Sequence, residues 1–150
     1  GKSTAINCML SLLNYDKGII KLFGSIMTPE NYAVKAMIGV VPQDVAVFEE
    51  LSVQENIDYF CGLYVADKQK RQALIEEVIQ LVGLENFVTF HPGELSGGLK
   101  RRLNIACGIA HKPRLIFLDE QNFRKYQRTE SSRSDDCLYD PLHGRGGDSL

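Results

Sequence analysis

Leu95-Ser96-Gly97-Gly98-Leu99-Lys100-Arg101-Arg102 is the stretch on which the reading of this chain turns. Ser96 is a natural N-cap, because its hydroxyl can accept a hydrogen bond from a backbone N–H of the first helical turn. Leu99, Leu103, Ala106, Cys107 and Ala110 then recur on one side, which predicts a helix over 97–110, ended by Lys112-Pro113. Gly97 and Gly98 fall in its first turn, where each glycine weakens a helix. Such a pair suits a place where a ligand approaches the backbone closely. The start of the helix adds unpaired N–H groups and the positive end of a dipole. The plain alternative is an ordinary capped helix with a solvated basic first turn.

Downstream, Arg114-Leu115-Ile116-Phe117-Leu118-Asp119-Glu120 is an apolar run that ends in two carboxylates. Leu115 to Leu118 reads as a central parallel strand, buried on both faces. An Asp at such a strand end can hold Mg2+, and a Glu beside it can orient or deprotonate a water. The plain alternative is a core strand with a polar exit. Upstream, Ser52 and Glu55 form a capping box and predict a helix over about 53–64. Residues 68–82 read as another helix, with Leu74, Val78, Leu81 and Val82 inward and a stop at Gly83. Met37 to Val41 reads as a buried strand closed by Pro42, and Gly18 to Phe23 as a short strand-like run ending at Gly24. Residues 4–13 read as a helix with Ile6, Met9, Leu10 and Leu13 on one face. The plan is α/β, with a helical block over about 52–110 inserted between two strands.

Gly1-Lys2-Ser3-Thr4 stands directly before the first helix. It matches the end of the phosphate-binding pattern G-x-x-x-x-G-K-[ST]. Helix-start N–H groups would face phosphates, Lys2 would reach the β- and γ-phosphates, and the Ser3 hydroxyl would meet Mg2+. The sequence opens in mid-motif, so pieces are expected to be missing from it.

Taken in order, Gly1-Lys2-Ser3-Thr4, Val41-Pro42-Gln43-Asp44, Leu95-Ser96-Gly97-Gly98 and Leu118-Asp119-Glu120 resemble the ATP-binding subunit, or nucleotide-binding domain, of ABC transporters, throughout residues 1–120. The nearest type is the ABC-2 exporter, where an aliphatic residue often stands at the place of Leu99. The resemblance implies a P-loop NTPase fold with an inserted helical subdomain, and ATP and Mg2+ as ligands. It implies that Gly1, Lys2, Ser3 and Thr4 bind phosphates. Ser3, Gln43 and Asp119 would serve Mg2+, and Glu120 would be the catalytic carboxylate. Gln43 would touch Mg2+ or water and link the site to a transmembrane permease. Ser96, Gly97 and Gly98 would contact the γ-phosphate of ATP held by a second ATP-binding subunit, identical or different. The implied place is cytoplasmic, peripheral on the inner face of the cell membrane. The 53 positions between Gln43 and Ser96 suit a compact helical subdomain rather than a long coiled coil, and no N-K-x-D guanine motif is present. Two rivals stand beside this reading: a soluble ABC-type ATPase acting on ribosomes, and a pseudogene fragment without function.

Composition excludes other classes. The 150 residues are 44% hydrophobic and 24% charged, with a net charge of −2 and no long basic run, so a nucleic-acid-coating role has no electrostatic support. No apolar stretch approaches the roughly 18 residues of a membrane span. Cys8, Cys61, Cys107 and Cys137 form no C-x-x-C pair and read as free thiols.

The pattern changes after Glu120. Residues 121–150 hold seven hydrophobic residues and no Val, Ile, Ala or Met, and they read as a disordered tail. The family expects Pro-Thr after the Glu and a switch His further on. This chain has Gln121-Asn122-Phe123, and His143 stands in a Leu-His-Gly-Arg context that does not match. The codons of Tyr139 to Leu150, read one base later, can spell Met-Thr-His-Tyr-Met-Glu-Glu-Val-Glu-Thr-Leu, which resembles the switch-His segment. A frameshifting deletion just after Glu120 is therefore expected, with 121–150 an out-of-frame tail. Weak nucleotide binding and little hydrolysis are expected of the chain as it stands.

Overall fold

The computed structural model describes residues 2–11, 14, 16–42 and 44–119, with backbone alone for Lys2, Ser3, Ile6 and Asp119. Gly1, Gln43, Glu120 and the segment 121–150 lie outside the described residues, as do Leu12 and Leu13 of the predicted first helix.

The chain opens with helix α1 (Lys2–Met9), shorter than the predicted 4–13. Ser11, at φ 56°, donates back to the Cys8 carbonyl and turns the chain away. Two short antiparallel strands follow, β1 (Lys21–Leu22) and β2 (Ser25–Ile26). Phe23 and Gly24 both take positive φ, the backbone of a tight hairpin turn. The sequence showed the first strand and the Gly24 stop but not the return strand. A single-turn helix, α2 (Tyr32–Lys35), is capped by Asn31 and was not read from the sequence.

Strand β3 (Ile38–Pro42) is buried along its whole length. Ile38 and Val40 pack with Leu10, Met27 and Val34 on one face. Gly39 and Val41 meet a later helix on the other. Helix α3 (Val53–Gly62) starts at the predicted capping box, with Ser52 and Glu55 bonding each other's backbone N–H. Asp67 caps helix α4 (Lys68–Val82), and Gly83 closes it at φ 71°. Its inward stripe is Arg71, Ile75, Val78 and Ile79, with Leu74 and Val82 partly buried. Leu81, expected inward, is 73% exposed. It sits on the far side of the 3.6-residue period from Ile75 and Ile79, so the apolar run Leu81-Val82 straddles the edge of the stripe. Two 3₁₀ turns, Glu85–Phe87 and Pro92–Glu94, lead to helix α5 (Gly97–Ile109).

Helices α3, α4 and α5 share one core built on Val53, Ile57, Phe60, Ile75, Val78, Leu103 and Ala106. Arg71 pins α4 to α3 through Asp58, Nε to Oδ1 at 2.7 Å, and donates to the Val65 carbonyl. Cys61 and Cys107 are free and buried in this core. Burial pushes the Cys61 thiol up to about 11 and Cys107 higher still, so both stay protonated and unreactive.

Strand β4 (Leu115–Asp119) lies parallel to β3, with Ile38 opposite Leu115 and Pro42 opposite Asp119. The helical block thus lies between two paired parallel strands in sequence, as predicted. The expectation that β4 is buried on both faces fails among the described residues. Phe117 faces the Ile38–Val40 core, whereas Ile116 and Leu118 are 46% and 60% exposed. Period-2 alternation puts these two side chains on the opposite face.

Candidate functional site

Parallel pairing brings two predicted site segments together. Pro42 and Asp119 are register partners at the C-terminal ends of β3 and β4, so the two strands end side by side at one edge of the sheet. In open α/β sheets, ligands gather at the carboxyl ends of the strands. Helix α1 packs on β4 and starts at Lys2 with no acidic residue in its first turn, which leaves its N–H groups and dipole favourable to an anion. Thr4 is exposed. The side chains of Lys2, Ser3 and Asp119, and all of Gly1, Gln43 and Glu120, lie outside the described residues.

Ser96, Gly97 and Gly98 are placed elsewhere. Ser96 caps α5, its hydroxyl accepting from Leu99 N–H at 3.3 Å. No acidic residue stands in this first turn either. All three residues are exposed, and no atom of the described residues lies within 4 Å of where a Cβ would stand on Gly97 or Gly98. The contrast with Gly39 and Gly108 is direct: a Cβ on Gly39 would lie 2.5 Å from the Gly108 carbonyl oxygen. Among the described residues, packing requires glycine at 39 and 108, and it does not at 97 and 98.

The solvated basic first turn of the plain alternative is only partly present. Arg102 is exposed, Lys100 Nζ stands 4.0 Å from Glu49 Oε1, and Arg101 Nη1 donates to the Pro42 carbonyl. One turn on, Asn104 is 2% exposed and also bonds the Pro42–Ala46 segment. Sequence reasoning missed both roles. The available signal was a carboxamide between Leu103 and Ala106 on the apolar side of α5, since a buried amide is retained where it has partners. Ser96 and Asn104 are eight positions apart, about 12 Å along the helix axis.

The chain matches the family model described as ABC transporter over residues 1–122. It belongs to the ABC transporter family. Among curated ABC transporter proteins, it is 34% identical over 120 residues to the linearmycin resistance ATP-binding protein LnrL of Bacillus subtilis (strain 168), covering 80% of this chain and 39% of LnrL. It is 33% identical over 120 residues to the Nod factor export ATP-binding protein I of Burkholderia orbicola (strain AU 1054), covering 80% of this chain and 40% of that protein. It is 29% identical over 120 residues to YbhF of Escherichia coli (strain K12), a probable multidrug ABC transporter ATP-binding protein, covering 80% of this chain and 21% of YbhF. The chain thus spans two fifths or less of the length of these relatives.

Two solved structures share the fold. One is cbiO1 from Clostridium perfringens, part of the ABC transporter complex cbiONQ, with TM-score 0.71 at 21% identity over 90% of this chain and 55% of that one. The other is an ATP-binding subunit of an ABC transporter, with TM-score 0.68 at 19% identity over 88% of this chain and 60% of that one. The predicted fold class, a P-loop NTPase of the ABC ATPase kind, is the one observed. Among the described residues, no helix is long and apolar enough to cross a membrane.

Proposed function

We propose that the chain is the ATP-binding part of an ABC exporter, in which ATP binding and hydrolysis on the cytoplasmic face drive a membrane-embedded permease. Residues 1–120 form the nucleotide-binding unit and about 52–110 its helical subdomain. Gly1, Lys2, Ser3 and Thr4 bind the phosphates through helix-start N–H groups, the Lys2 ammonium and the hydroxyls. Ser3, Gln43 and Asp119 offer a hydroxyl, a carboxamide and a carboxylate, an all-oxygen set of the kind Mg2+ takes. Bound there, the ion would offset charge on the phosphates. Glu120 orients and deprotonates the attacking water, with Gln43 beside it. Ser96, Gly97 and Gly98 meet the γ-phosphate of ATP held by a second ATP-binding subunit. The relatives named for linearmycin resistance and Nod factor export favour export as the direction.

The observation that carries this reading is the open space over Gly97 and Gly98. Two glycines weaken the helix start and nothing among the described residues needs them, so their use lies with something that comes to the helix from outside. Titration with ATP and Mg2+ tests the reading. Lys2→Ala is expected to weaken binding at least tenfold, and Glu120→Gln to keep binding and abolish the little turnover expected of the chain. Equal affinity in the wild type and Lys2→Ala overturns it. The out-of-frame origin of 121–150 has its own test: the underlying DNA, read one base later, should encode a switch His after position 139.

A further inference from the structure

Helix α5 grips the chain on both sides of position 43. Asn104 Nδ2 donates to the Pro42 carbonyl at 2.8 Å and reaches the Asp44 carbonyl at 3.4 Å, while Asn104 Oδ1 accepts from Ala46 N–H at 3.2 Å. Arg101 Nη1 donates to the same Pro42 carbonyl. Pro42 is in turn the register partner of Asp119. Two side chains one turn apart on α5 therefore hold the backbone that enters and leaves Gln43.

A purely structural account fits poorly. Asn104 is buried, and its neighbours on that side of the helix, Leu103, Ala106 and Cys107, are apolar. An aliphatic residue would fill the same space without the desolvation cost of an amide. What the amide adds is direction: it fixes three backbone groups of a loop to a helix whose first turn carries Ser96, Gly97 and Gly98.

We propose that Asn104, with Arg101, is a positioning residue for the Mg2+ site, fixing the backbone of Pro42, Asp44 and Ala46 in constant relation to the Ser96-Gly97-Gly98 turn. Neither residue touches nucleotide; both act through the backbone they hold. The proposal rests on the nucleotide-site reading given above.

Asn104→Leu keeps the number of heavy atoms and the branched outline of the side chain and removes the three hydrogen bonds. Arg101→Met removes the guanidinium that bonds the Pro42 carbonyl, at a half-buried position, and serves as the second probe where Asn104→Leu does not fold. Two measurements on the purified chain decide the matter: amide hydrogen exchange at Ala46, and ATP affinity with and without Mg2+. In Asn104→Leu, Ala46 exchange is expected to rise at least tenfold. In both variants the gain in ATP affinity from Mg2+ is expected to fall at least fivefold, with the metal-free affinity within twofold of wild type. Unchanged Ala46 exchange in a folded Asn104→Leu overturns the proposal, as does a full Mg2+ gain in both variants. Equal loss with and without Mg2+ shows a structural role only and also overturns it. A wild-type chain that binds no ATP overturns the nucleotide reading itself, and the proposal with it.

Discussion

Gly108 on α5 lies against Gly39 on β3 so closely that a Cβ on Gly39 would stand 2.5 Å from the Gly108 carbonyl oxygen and 2.7 Å from Pro113 Cγ. A Cβ on Gly108 would meet Val41 Cγ2 at 2.6 Å and the Val40 carbonyl oxygen at 3.0 Å. The obstacles include backbone on both elements, so a methyl group at either place forces helix and strand apart. Gly39→Ala is expected to cost about 2–3 kcal/mol, read as a lowered denaturant midpoint. A loss below about 0.5 kcal/mol would mean that the crossing is looser than described.

Gly97→Ala and Gly98→Ala should behave in the opposite way. Each has open space for a methyl group and lies in a helical first turn, so alanine is expected to stabilise the chain by about 0.5–1 kcal/mol. If the proposed pairing of subunits holds, the same substitutions are expected to lower at least tenfold the small ATP turnover expected of the chain. Thermal melts and turnover measured on one preparation check both halves, and unchanged turnover would remove the functional role of the pair.

His111 makes stability depend on pH. Its ring stacks on Tyr64 with centroids 4.0 Å apart, and Nε2 lies 3.2 Å from the Ile38 carbonyl oxygen. Nε2 therefore carries the hydrogen, and Nδ1 is buried with no partner among the described residues. Burial lowers the folded-state pKa to about 4, although the Ile38 carbonyl pulls the other way. The unfolded chain binds this proton near pH 6.5. Stability from this residue is thus complete above that pH and falls as pH drops toward 4, by about 3 kcal/mol at most. Urea melts at pH 7 and pH 5 should differ, and His111→Phe should flatten the difference. An equal slope in both proteins refutes the assignment.

Ser52 and Ser96 cap their helices alike, each hydroxyl accepting at 3.3 Å from the residue three places on. Ser52→Ala and Ser96→Ala are each expected to cost about 1 kcal/mol. Only Ser96→Ala should also affect turnover. Equal turnover defects in the two variants would reduce Ser96 to its capping role.

Local chemistry made much of this fold legible. The Ser52 and Glu55 capping box, the stop at Gly83, and the apolar runs of β3 and β4 each announce their element within a few residues, and each element stands where expected. The two-residue β2 and the single turn of α2 are too short for periodicity to show, and they form because Asn31 and the Phe23-Gly24 turn arrange them. Leu81 failed because hydropathy marks an apolar residue but not the edge of a stripe. Within the site, the motif residues were visible as motifs, whereas the grip of Asn104 on residues 42–46 spans about sixty positions of sequence and needs the fold to bring its ends together.

Ile116 and Leu118 carry a consequence for handling the protein. They give β4 an oily flank that water meets directly. Strands with such flanks find one another in concentrated solution. Light scattering should climb with protein concentration and fall when Leu118 becomes lysine. Colloidal behaviour would then limit how this chain can be purified and stored before folding stability does.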